Sequence, residues 1–354
     1  MTGSPEPPLW PDVLGRLVRR EDLPVELVER AMAAILEGQA TDAQIAGFAV
    51  ALRAKGETIS ELATLVRTML SFSEPVELSG SAPVVDTCGT GGDRSHTINV
   101  STLAALVVAG AGVRVAKHGN RAASSACGSA DLLEALGVVI DLGPAGVARC
   151  IEDAGIGFCF AQKFHPCMRF AGPTRKELGV ATTFNFLGPL ANPARVRRQV
   201  LGVSDRGMAE RMAGALAELG SERALVFCGD DGLDELTTTT ASTVHDLADG
   251  KVRTYSLDPA ELGFAHAERG DLVGGDAAHN AEITKRVLGG EPGPQRDVVV
   301  LNAAAALVAA GAADDIAAGV EGAQVSIDDG RASATLDAFV RASVAARDSE
   351  GEGT

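Results

Sequence analysis

The sequence predicts an α/β protein with a small all-helical N-terminal domain and a large domain whose central sheet is mostly parallel and flanked by helices. Three observations carry this. Residues 10–73 show helical periodicity and nothing else. From Val84 onward, short apolar runs rich in β-branched residues alternate with helical patterns, the signature of βαβ units. Two of those runs end in loops rich in Gly, Ser, Thr and Asn, as strand ends do when they build a binding site.

Residues 1–9 are Pro-rich, polar and aperiodic, so they are expected to be disordered. They lack the basic and apolar segments of a signal peptide. Leu14 and Leu17 mark a first helix, and Val25, Leu27, Val28, Met32 and Leu36 a second that stops at Gly38. Thr41-Asp42 opens a third, closed by Gly56. Thr58 and Glu61 form a capping box for a fourth. Ser73–Pro83, with its Pro, Gly and Ser, is the linker to an α/β domain over 83–346.

In that domain Val84-Val85 and Val113–Ala116 read as strands around a helix. Further strands are expected at Val138–Asp141, Ile156–Ala161, Val200–Val203 and Ala224–Phe227, and a hairpin turns at Asp249-Gly250. Between them, residues 164–194 carry one or two Pro-punctuated helices. The tail is helical and Ala-rich, as close helix–sheet packing requires, and residues 347–354 are expected to be disordered.

A chain of 354 residues with 46% hydrophobic content can bury a sizeable core. A net charge of −16 argues against a nucleic-acid or anionic-membrane partner. The six cysteines include no C-x-x-C pair, so free thiols and a cytoplasmic location are expected.

The chemistry concentrates in three places. Gly89, Gly91 and Gly92 remove side chains where backbone N–H groups can close on an anion. Thr97, Asn99, Ser101 and Thr102 add donors where a helix begins. Lys117, Asn120, Arg121, Ser124 and Ser125 supply a second donor-rich loop. Neither loop matches a Walker A or a dinucleotide fingerprint, yet two on one βαβ unit point to a phosphate site. Third, Asp234-Glu235 follows a turn after a strand, a position suited to Mg²⁺ shared with substrate phosphates.

G-T-G-G-D at 89–93, N-V-S-T at 99–102 and K-H-G-N-R-A-A-S-S at 117–125 resemble the anthranilate phosphoribosyltransferases of tryptophan biosynthesis, and the resemblance runs over about residues 10–345. It implies a nucleoside-phosphorylase-like fold, with the helices near 174–190 joining the helical domain. It implies homodimers formed through that domain. The implied reaction joins anthranilate to 5-phospho-α-D-ribose 1-diphosphate, giving N-(5-phosphoribosyl)anthranilate and diphosphate. Donor contacts would fall on Gly89, Gly92, Asp93, Thr97, Asn99, Val100, Ser101 and Thr102 in the first loop. In the second they would fall on Lys117, His118, Gly119, Asn120, Arg121, Ala122, Ala123, Ser124 and Ser125, with Ser129 beyond it.

The resemblance further implies anthranilate contacts at Gly89, Asn120, His165, Arg175 and Gly188, with Arg175 on the carboxylate, a task that suits a planar guanidinium. Two Mg²⁺ ions per subunit would be held through Ser101, Asp234 and Glu235. No general base is assigned. Ala181 and Phe170 depart from the usual family residues and bear on the path of the aromatic acid. Two rival readings are a nucleoside phosphorylase of the same fold and a nucleic-acid-binding relative. The second would need a basic surface, and this chain has 31 Lys and Arg against 47 Asp and Glu.

Overall fold

The computed structural model describes residues 8–122 and 126–351. Four helices come first: α1 (Leu9–Val18), α2 (Val25–Leu36), α3 (Asp42–Lys55) and α4 (Ile59–Ser71). Capping boxes start α3 at Thr41 with Gln44 and α4 at Thr58 with Glu61. Glu61 also accepts from the Leu23 amide and pairs with buried Lys55, which fixes the turn before α2.

The α/β domain follows as β1 (Val84–Gly89), α5 (Val100–Gly110), β2 (Arg114–Gly119), α6 (Ser129–Ala135), α7 (Pro144–Ala154) and β3 (Ile156–Phe160). Next come α8 (Ala161–Phe164), α9 (Gly172–Leu178), α10 (Phe184–Leu190), β4 (Arg198–Gly202), α11 (Arg206–Glu218) and β5 (Arg223–Gly229). The hairpin β6 (Ser242–Ala248) and β7 (Lys251–Leu257) leads to α12 (Ala277–Leu288), α13 (Pro294–Ala310), α14 (Ile316–Asp328) and α15 (Arg331–Gly351). Among the described residues one seven-stranded sheet forms, in the order β3-β2-β1-β4-β5-β6-β7. The first five of these strands are mutually parallel, and the hairpin closes the edge antiparallel. Strand order reverses at β1, whose neighbours are β2 and β4, and in parallel sheets ligands bind at such a switch point.

The core divides by sheet face. Val85, Val200, Leu225 and Phe227 point to one face, under α5, α13 and α15. Leu201, Ala224 and Val226 point to the other, where they join α10, α11 and the four N-terminal helices in one continuous cluster. The helical domain is therefore a cover for half the sheet. Close approach makes this tight: a Cβ on Gly214 of α11 would stand 2.5 Å from Ile59 of α4. The Ala-rich tail packs in the same way, since a Cβ on Gly319 of α14 would stand 2.6 Å from the Ala304 carbonyl of α13.

Within residues 164–194, Thr174 donates to Asp42 of α3, and Thr183 to buried Glu57. Three expectations are corrected. Val138–Asp141 is not a strand; β3 already forms that edge, and the Val139 amide bonds to the Ser343 hydroxyl of α15 instead. Leu9, expected in the disordered N-terminus, is helical, and residues 1–7 lie outside the described residues. Disorder is expected over 347–354, yet α15 runs to Gly351; Glu350 accepts from the Gly143 and Gly146 amides at the start of α7, which anchors it. All six cysteines are free and buried.

Candidate functional site

The site gathers at the carboxyl ends of β1, β2 and β4. Gly89 and Gly202 are register partners on β1 and β4, and a Cβ on either would collide with Asp234. The absence of two side chains thus admits the acidic pair over the strand ends. The Gly91 amide donates to Asp234 Oδ2 at 2.6 Å. Beyond it the chain turns through left-handed residues, at Gly91 (φ 65°), Gly92 (φ 85°), Arg94 (φ 57°) and His96 (φ 55°). A Cβ at Gly91 or Gly92 would meet open space, so conformation demands glycine there and the room above is free for ligand. Arg94 and His96 hold a conformation that side chains disfavour, as occurs at ligand-binding loops. Ser95 donates to Asp93, and Thr97 bridges to Val273.

Asn99 precedes α5, but its side chain does not cap the helix. Its amide donates to the Cys127 carbonyl and its carbonyl accepts from Asn280 of α12. Val100 and Thr102 turn into the core, their amides donating to the Ile98 and Asn99 carbonyls, and Ser101 stays partly open.

Lys117 is only 1% exposed. Its ammonium donates to the Thr87 carbonyl at 2.5 Å and to Ser101 Oγ at 3.2 Å, so it ties the first loop to the second. Burial lowers its pKa, opposed by the charges of Asp86, Cys88 and Glu235. Asp86, pushed up to about 6 by burial against the pull of Lys117, accepts from the His118 amide and from Asn192. Gly119 leaves room for Phe158 and Ser129. The Arg121 guanidinium is taken up by Asp131 and Glu134 and lies over Phe160. Asp131 also accepts from the Ala122 and Gly128 amides, holding the loop's two ends. Ala123, Ser124 and Ser125 lie outside the described residues.

Asp234 and Glu235 are half-buried, enclosed by protein and open on one side. Burial raises both pKa values, and neighbouring charge adds to it: Asp93 acts on Asp234, and Asp234 on Glu235. Crowded carboxylates facing Ser101 and Lys117 fit a hard divalent cation. Among the described residues no three His, Cys, Asp or Glu side chains are placed to hold a metal unaided, so ligand oxygens would have to complete the shell.

On the other flank, the His118 and His165 rings meet edge to face at 5.2 Å. Both are kept neutral by burial, His118 near 3 and His165 near 4. His165 Nε2 bonds to the Ala191 carbonyl, and the Gly188 carbonyl faces His118. A Cβ at Gly188 would meet nothing, so the space beside it is open. Asn120 sits against Gln162 of α8. Arg175, largely enclosed and 5.9 Å from the centre of the Phe184 ring, has no acidic partner among the described residues. Phe170 lies under Arg169 and against Gly38 rather than in this pocket. Ala181 is exposed.

Sequence reasoning missed Gly202, Asp86, Asn192 and Asn280, which hold the site without any motif of their own. Only the spacing of Gly202 at a strand end resembled a signal.

This arrangement can hold a polyanion with a cation on one flank and a planar acid on the other. Comparison with known proteins agrees. The model of the glycosyl transferase family's a/b domain matches residues 81–333, and that of its helical bundle domain matches 11–73. The fold and site thus define a glycosyl transferase of that two-domain class. An anthranilate phosphoribosyltransferase from Nocardioides sp. is 55% identical over 94% of this chain and 98% of its own. The crystal structure of anthranilate phosphoribosyltransferase from Thermus thermophilus is 42% identical with a TM-score of 0.89, covering 94% of this chain and 99% of that one. The Saccharomyces cerevisiae enzyme in complex with PRPP and Mg is 28% identical with a TM-score of 0.86, covering 94% and 97%. The chain belongs to the anthranilate phosphoribosyltransferase family.

Proposed function

We propose that this site carries out the family's reaction with the donor between the two glycine- and serine-containing loops and the acceptor beside Arg175. The activity is transfer of the 5-phosphoribosyl group from 5-phospho-α-D-ribose 1-diphosphate to the amine of anthranilate, within tryptophan biosynthesis. Breaking the C1–O bond builds positive charge on the ribose and negative charge on the departing diphosphate. Backbone amides of Gly92 and Asp93, with the hydroxyls of Thr97 and Ser101, hold the phosphates. Ser101, Asp234 and Glu235 would hold Mg²⁺, two ions per subunit, and the metal would supply charge neutralisation for the leaving diphosphate. Lys117 acts from below by positioning Ser101.

The acceptor's carboxylate pairs with Arg175, and Asn120 with the neutral His118–His165 pair orients the ring so that its amine meets C1. Positioning and charge stabilisation carry the rate. No general base is assigned, because the arylammonium formed is acidic enough to pass its proton to water. A homodimer through the helical domain is part of the same proposal.

The observation that carries the acceptor assignment is the enclosed guanidinium of Arg175 with no acid beside it among the described residues. Arg175→Ala should weaken anthranilate while leaving the donor's affinity nearly intact. Loss of one hydrogen bond to a charged group corresponds to about 1.5–3 kcal/mol, or roughly ten- to a hundredfold in KM. Steady-state kinetics with each substrate varied checks this. Equal loss for both substrates removes Arg175 from the acceptor site.

A further inference from the structure

At the opposite end of the sheet, where β4 begins, a cavity of about 440 Å³ opens between the helical domain and the α/β domain. We propose that it is a second binding site, for a small carboxylate with an apolar body. Its size falls within the range of small-molecule sites, about 300–1,000 Å³. It opens away from the substrate site but shares its back wall: Asn192 and Gln199 reach the same Asp86 that accepts from the His118 amide.

One wall is apolar: Leu70 of α4, Leu190 at the end of α10, and Leu216 with Leu219 at the end of α11. The rim is cationic, with Arg67, Arg195 and Arg197 around one opening in a chain of net charge −16. The back wall is polar and rigid. Asn192 and Gln199 are 4% and 3% exposed, and their amides are held by Asp86, the Ala116 carbonyl and the Pro189 carbonyl. A ligand therefore meets a preformed wall and pays little to organise it.

Arg195 is the decisive residue. It holds a left-handed backbone (φ 49°), exposed, and has no acidic partner among the described residues. The other two arginines have surface acids, Arg67 with Glu218 at 3.3 Å and Arg197 with Glu222 at 3.0 Å, and each also donates to a neutral oxygen, Thr64 Oγ1 and the Gly220 carbonyl. Exposed pairs of this kind are weak, so a carboxylate can displace them. Guanidiniums on a single rim above an apolar wall match one anionic head on a hydrocarbon or aryl body. They do not match a polyphosphate, which would need donors around it.

The test uses the full-length protein and, in parallel, its Arg175→Ala variant, whose acceptor site lacks the guanidinium for a carboxylate. Phenylacetate, 3-phenylpropionate and hexanoate are titrated by calorimetry, with 3-phenylpropan-1-ol as the uncharged control. Expected are saturable binding of at least one acid, no binding of the alcohol, and a loss of about tenfold or more in Arg195→Ala and in Arg67→Ala. Both residues are exposed, and circular dichroism verifies that the variants keep their fold. The proposal fails if none of the acids binds saturably at millimolar concentration. It also fails if Arg175→Ala alone abolishes the binding, if the alcohol binds equally well, or if both rim variants bind like the wild type.

Discussion

Asp234 and Glu235 bring two carboxylates into a half-buried position next to Asp93, and their raised pKa values mean that the fold disfavours their charge. For an acid with a raised folded pKa, stability is lost as pH climbs past the unfolded value towards the folded one and regained as pH falls. Near neutral pH, without metal, the pair is therefore a liability. Asp234→Asn with Glu235→Gln should raise the melting temperature of the ligand-free protein, at roughly 1–2 °C per kcal/mol relieved. The same variant should lose the stabilisation that Mg²⁺ and donor together confer on the wild type. Thermal shift with and without those ligands decides; a variant that responds to Mg²⁺ as the wild type does would dismiss the pair as its ligands. His118 has the reverse sign. Its folded pKa lies near 3, below the ordinary value of 6.5, so its contribution is full above about 6.5 and is lost as pH falls towards 3. At pH 5 that loss is about 1–2 kcal/mol. Urea denaturation at pH 7 and pH 5 should show a smaller drop for His118→Gln than for wild type. Parallel behaviour would mean that His118 is not held neutral by the fold.

At the scale of elements, α15 shows what local pattern conveys and what it omits. Its Ala-rich periodicity predicts a helix, but its last turn depends on a contact about 200 residues away in sequence, where Glu350 accepts the amides of Gly143 and Gly146. Glu350→Ala should cost about 1 kcal/mol, as loss of a helix N-cap does, measured by the urea midpoint. No change would make the contact incidental. The same logic explains the rest of the comparison. Helices with their own caps, such as α3 and α4, and strands with β-branched runs were legible because their causes are local. So were the turns at 91–92 and 249–250, where left-handed angles call for glycine or a small polar residue. The supposed strand at 138–141 has a strand's composition but no neighbour to pair with. Asp86, Asn192, Gly202 and Asn280 went unread because each works through a partner brought near only by the sheet.

Across the whole molecule the hydrophobic core follows the faces of the sheet and not the two domains. The four N-terminal helices share their cluster with β4, β5, α10 and α11, and Arg53 of α3 pairs with Glu57 and Asp205 while lying over Phe186. Such continuity predicts that the helical domain does not unfold by itself. Trp10, the chain's only tryptophan, packs edge to face on Phe48 within that domain, which makes it a local reporter. Its fluorescence and the far-ultraviolet circular dichroism should trace one coincident transition in urea. An earlier transition at Trp10 would show the helical domain to be a separate unit.

Five of the six cysteines lie in the two core clusters on either side of this sheet, Cys88 and Cys167 in one and Cys127, Cys150 and Cys159 in the other. Burial holds all of their thiols in the protonated, unreactive form. To an oxidant or an alkylating reagent the folded chain thus presents almost no thiol chemistry. Damage waits for the structure to open, and whichever thiol is marked first names the face that opened.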